Sequence, residues 1–270
     1  MTMTMETREH HYPLTAEGLV EILRTLRAPD GCPWDRKQTY ESLKSTLAEE
    51  TAELLDAVDD QNYPHMREEL GDVMMNLAFF AVIAEERGDF TFHDAMREII
   101  AKMIRRHPHV FADADAGDSD DVIEIWEAVK KQEHHPERKS VLDGIPRNLS
   151  GLLQAEKLQK KAAKYGFDWE SQEQIVDKIE EELQEIKEAM HRSDDADIND
   201  EIGDLLFAVV NLARFRKQGT SEDLLQGTIR KFSYRFRYLE RKLTEQGISL
   251  DNATIDQMEA LWQEAKHVNQ

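Results

Sequence analysis

"EIGDLLFAVVNLA", residues 201–213, decides the fold. Its apolar side chains (Ile202, Leu205, Leu206, Phe207, Val209, Val210 and Leu212) surround the cylinder of a helix rather than alternating as a strand would. A helix without a polar face needs partners on all sides, and one small helical unit barely supplies them, so dimerisation through bundle faces is expected. Asp204 interrupts this surface. A charged carboxylate on an apolar segment must reach water, find a cation or lose its charge, because burying it unpaired costs several kcal/mol.

The same stretch occurs twice. "REELGDVMMNLAFF" (67–80) matches "NDEIGDLLFAVVNL" (199–212), and "LAEETAELLDAV" (47–58) matches "IEEELQEIKEAM" (179–190). Four acids keep one offset of 132 (182 − 50, 185 − 53, 201 − 69, 204 − 72). Trp34 and Trp126 correspond to Trp169 and Trp262, and Lys102 and Arg106 to Lys231 and Arg235. A unit written twice predicts two similar domains.

Each copy reads as a lead helix (15–27; 150–164), an aromatic-bearing loop, an acidic helix (40–59; 172–192), an apolar helix (65–87; 197–217), a basic helix (92–106; 221–246) and a short Trp-bearing helix. The fold class is all-α, a tandem repeat. Residues 1–134 form the N-terminal domain, 135–148 a hinge and 149–270 the C-terminal domain. "SQEQ" (171–174) predicts a capping box at the second acidic helix. The Pro- and Gly-bearing stretches 28–35 and 107–121 read as loops, as do His107, His109, His134 and His135, which have no further ligands at set spacing.

Composition bounds the function. Fifty-five acidic against 34 basic residues, a formal charge of −21, argue against a nucleic-acid polymer or an anionic membrane as partner. The single cysteine, Cys32, excludes an intrachain disulfide framework and a thiolate metal cage. No apolar run reaches the roughly 20 residues of a membrane span, and "MTMTMETREHHYP" (1–13) has no signal-peptide core. A cytoplasmic location is expected.

Glu182 and Glu185 lie three apart, so both project from one helix face, and Glu201 and Asp204 repeat the arrangement on the next helix. Antiparallel packing brings the four carboxylates to one point, where a hard cation, Mg2+ or Mn2+, suits oxygen-only ligation. Gly203 beside them allows close backbone approach. EExxE alone arises readily on the surface helices of an acidic chain. Its duplication at one offset, next to a helix too apolar to be a solvated face, selects metal ligation. Glu50, Glu53, Glu69 and Asp72 form the matching second site.

These patterns, with "GCPWD" (31–35), "EELGD" (68–72), "RRHPHVF" (105–111), "KYGFDW" (164–169) and "KFSYRFRYLE" (231–240), resemble the two-domain bacterial form of the MazG family of nucleoside triphosphate pyrophosphohydrolases, in the all-α NTP pyrophosphatase superfamily. The resemblance covers nearly the whole chain. It implies two MazG-like helical-bundle domains and Mg2+-dependent cleavage of NTPs or dNTPs between the α and β phosphorus, in nucleotide-pool sanitation or alarmone-linked stress control. The same residues allow a non-catalytic scaffold that binds nucleotide or a partner protein.

A cation held by Glu182, Glu185, Glu201 and Asp204 neutralises phosphate charge and acidifies an attacking water. Glu181 either takes the proton or helps to hold a second metal. Lys178, Lys231 and Arg235 are candidate phosphate clamps, and the resemblance implicates these basic positions and Trp262 in nucleotide binding. Trp262, Phe167 or Trp169 can stack on a base or fill the core. Asn211, on the face of Asp204, can read a base edge or join an internal network. The first copy places Thr46 and Phe79 where the second has Lys178 and Asn211, which makes the C-terminal copy the main catalytic one.

Overall fold

A computed structural model describes residues 12–132 and 139–268. Among them there is no strand. The chain divides into two compact units, Met1–His134 and His135–Gln270. Of the expected hinge, residues 135–138 lie outside the described residues, as do His134 and His135.

The first unit contains α1 (Ala16–Arg27), α2 (Tyr40–Asp59), α3 (Tyr63–Arg87), α4 (Phe92–Arg106), the single turn α5 (Pro108–Phe111) and α6 (Ser119–Gln132). The second contains α7 (Gly151–Ala163), α8 (Gln172–Arg192), α9 (Asp195–Arg216), α10 (Ser221–Glu245) and α11 (Ile255–Ala265). In both, the acidic and apolar helices pack as a hairpin (α2 with α3, α8 with α9), and the lead helix lies against the apolar one. The loop expected at 107–121 is broken by α5, which contains His109, and by the start of α6.

Side chains set the helix starts. Thr39, Thr91, Ser171 and Thr220 each accept a hydrogen bond from the backbone N–H three residues on, satisfying a donor that the first turn leaves open. The capping box expected at Ser171 is half formed. Gln174 N–H donates to Ser171 Oγ, but Gln174 Oε1 accepts from Glu170 N–H instead of closing back on Ser171.

The first unit's core joins Val20 and Leu23 of α1, Leu43 of α2, and Ala78, Phe79, Val82 and Ile83 of α3, with Leu26 packed against it. In the second unit Leu239 and Leu243 of α10 meet Leu261 of α11, flanked by Trp262. Arg106 lies over Trp126 (4.7 Å) and Arg235 over Trp262 (5.8 Å), so the repeat extends to the contact between basic helix and tryptophan.

Gly203 does not serve a close approach within the chain. A Cβ there, or at Gly71, meets nothing within 4 Å. Nor is α9 enclosed, because Ile202, Leu206, Phe207 and Val209 remain exposed.

Candidate active site

The hairpin of α8 and α9 brings three of the four predicted acids together. Glu182, Glu201 and Asp204 each offer a carboxylate oxygen, all within 4.8 Å of one another, and Glu50, Glu69 and Asp72 do the same in the first unit. Glu185 and Glu53 lie outside these triplets but within electrostatic reach. Burial, then the Glu182 charge, pushes the Glu185 carboxyl above its ordinary value, and burial followed by Glu185 does the same to Glu201. Burial and Asp72 raise Glu50. Like charge is crowded in both copies.

The residues fit a cation. Glu182 is 4% exposed and its Oε2 has no partner; Glu69 is 6% exposed and its Oε2 has none either. A buried carboxylate oxygen without a donor is costly, and an all-oxygen set of this kind matches a hard divalent ion.

Each copy gives its buried acid a different partner. Lys178 Nζ bridges Glu181 (2.7 Å) and Glu182 (2.8 Å), and these bonds hold its ammonium above the ordinary lysine range. In the first copy, where Thr46 replaces that lysine, His65 Nε2 reaches Glu69 at 2.9 Å from within α3.

A cavity of about 720 Å³ opens beside the second triplet. Its lining joins the charged Lys178, Glu182, Asp204, Asp168 and Arg214 to the apolar Phe167, Trp169, Ile175, Phe207 and Ala208. Phe167 is 84% exposed, a cavity wall rather than core. Asn211 lines the cavity and also belongs to an internal network. Its Oδ1 accepts from Arg214 Nε (3.0 Å) and Nη2 (2.6 Å), and Arg214 pairs in turn with Asp168. Arg214 holds the Asp168 carboxyl below the usual carboxylate range.

Lys231, Arg235 and Trp262 do not line this cavity. Arg235 of α10 lies over Trp262 of α11, which also packs against Phe232. Residues missed in the sequence are Gln159, Asp168, Arg214 and His65. Asp168 stands inside the quoted "KYGFDW", whereas polar residues such as Gln159 on a lead helix read as solvated.

The two copies diverge where the cavity lies. Phe79, opposite Asn211, is core. With Gly18 set against Gly151, Leu26 falls opposite Gln159 and also packs into that core. The first copy packs apolar groups where the second keeps amides.

The model of the MazG nucleotide pyrophosphohydrolase domain matches residues 38–111 and again 170–239. The chain belongs to the MazG nucleotide pyrophosphohydrolase family. These are hydrolases acting on phosphorus anhydrides, and the double match confirms the tandem repeat. The nucleoside triphosphate pyrophosphohydrolase/pyrophosphatase MazG of Thermotoga maritima is 43% identical over 93% of this chain and 95% of its own. The nucleoside triphosphate pyrophosphohydrolase of Escherichia coli (strain K12) is 41% identical over 93% of this chain and 96% of its own. A crystal structure of a mazG-related protein from Thermotoga maritima is 30% identical, covers 43% of this chain and 99% of its own, and has a TM-score of 0.38. No helix among the described residues is long and apolar enough to cross a membrane.

Proposed function

We propose that this MazG chain hydrolyses nucleoside triphosphates between the α and β phosphorus, water adding across the anhydride to give nucleoside monophosphate and pyrophosphate. The observation that carries the reading is that Glu182 and Asp204, which cluster with Glu201, line one cavity together with Lys178 and with apolar side chains such as Phe167, Ile175 and Phe207. Triphosphate and base differ in the same way.

Glu182, Glu201 and Asp204, with Glu185 beside them, hold Mg2+ or Mn2+. The cation, when bound, supplies Lewis acidity toward phosphate oxygens and the attacking water. Lys178 already reaches the acids and shifts its bonds toward a phosphate oxygen when substrate enters. That shift frees Glu181, which is exposed, to take the proton of the water. Lys231 and Arg235 clamp the outer phosphates from a second copy of the chain, since within one chain they do not line the cavity. The second copy of the repeat carries turnover.

The test is incubation of mixed NTPs and dNTPs with Mg2+, with products resolved by chromatography and phosphorus NMR. Monophosphate plus pyrophosphate, abolished by chelator, is expected. Diphosphate plus phosphate contradicts α,β cleavage, and tight nucleotide binding without products favours the scaffold.

A further inference from the structure

Gln159 is a buried amide with one half unused. It is 7% exposed, its Nε2 donates to the Phe207 carbonyl at 2.9 Å, and its Oε1 is buried with no partner. Flipping the amide is no remedy, because Oε1 then faces the Phe207 carbonyl oxygen. The oxygen is therefore a fixed, buried acceptor on a residue that lines the cavity, and leaving it unpaired is costly.

Asn211 is locked in the opposite sense. Its Oδ1 takes two hydrogen bonds from Arg214, which Asp168 holds in place. A guanidinium has no acceptor, so only Nδ2 is left to offer, and it can only donate. Both residues line the same cavity, and the Phe207 carbonyl that anchors the Gln159 amide lies one helical turn before Asn211. Amides usually read either edge by turning over. Neither of these can.

We infer that Gln159 Oε1 and Asn211 Nδ2 form a fixed acceptor and donor that read the edge of the nucleobase, and that the site demands a base with an N–H beside an acceptor. This rests on the proposed function, with the base in the apolar part of the cavity. Adenine meets the demand when its 6-amino group donates to Gln159 and N1 accepts from Asn211. Every unmodified base carries such a pair on one edge, so the device admits the standard set and rejects bases that have lost the N–H. Gln159 then contacts substrate, whereas Arg214 and Asp168 are positioning residues.

The experiment compares kcat/KM for ATP and for purine riboside triphosphate, which lacks the 6-amino group and adds no bulk, in the wild-type protein with Mg2+. A preference for ATP of about tenfold or more is expected from loss of one hydrogen bond to a buried acceptor. In Gln159→Met, which removes the acceptor at similar length, the ratio should approach one, mainly through a raised KM for ATP. The wild-type comparison needs no variant, so a misfolded Gln159→Met does not decide the matter. Equal turnover of both substrates by the wild-type protein, or an unchanged ratio in a folded Gln159→Met, overturns the base reading and leaves the hydrolase standing. Turnover of neither nucleotide overturns both.

Discussion

Asp204 resolves its conflict with an apolar helix by staying exposed at a cavity, beside Glu201 and Glu182. The acids were legible because duplication at one offset removes the ambiguity of a short acidic motif. Gln159 and Arg214 were not, since their meaning comes from Phe207, Asn211 and Asp168, which only folding brings near. The Asp168–Arg214 pair gives a pH signature. The folded-state pKa of Asp168 is depressed, so its stabilisation is present above the unfolded value and lost as pH falls through the folded one. Asp168→Asn should lower Tm at pH 7, and the difference from wild type should shrink between about pH 5 and 3. A difference that stays constant over that range contradicts the ion pair.

Helix extents were readable because polar caps and breakers bracket them: α2, α8 and α4 begin after Thr39, Ser171 and Thr91 as expected. What joins the helices was not. Glu156, 3% exposed on α7, accepts from the N–H (2.8 Å) and hydroxyl (3.0 Å) of Ser221 at the first turn of α10, and Lys160 pairs with it. A carboxylate at that helix end opposes the positive pole. Glu156→Ala leaves buried donors open and should cost about 2–4 kcal/mol in urea unfolding; a loss under about 0.5 kcal/mol would show the contact to be idle. At the end of α9, Lys217 has the left-handed φ of 55° that Gly88 (77°) adopts after α3. Lys217→Gly should therefore stabilise the second unit by up to about 1 kcal/mol, read as a raised Tm.

At the scale of the molecule, the apolar helix α9 packs against α7 and α8 yet leaves part of its apolar surface uncovered. Ile202, Leu206 and Val209 of α9 and Leu224, Leu225, Ile229 and Phe232 of α10 are exposed, and exposed apolar helix faces of this kind mark interaction surfaces. A homodimer that covers them is the proposal, to be checked by sedimentation; a monomer at micromolar concentration refutes it. If Lys231 serves a partner's site, mixing inactive Lys231→Ala and Glu201→Ala proteins under exchange should restore about a quarter of wild-type activity, because half the dimers are mixed and each has one intact site. The repeat itself was plain in the sequence. The asymmetry between copies was half visible, in Phe79 for Asn211, and completed by Leu26 packing where Gln159 lines the cavity. The most direct measurement compares kcat/KM of Glu201→Ala and Glu69→Ala on one NTP with Mg2+, with both variants verified as folded. Catalysis by the second copy predicts a loss of at least about 100-fold for Glu201→Ala and under about tenfold for Glu69→Ala. Equal losses, or a greater one at Glu69, would contradict it.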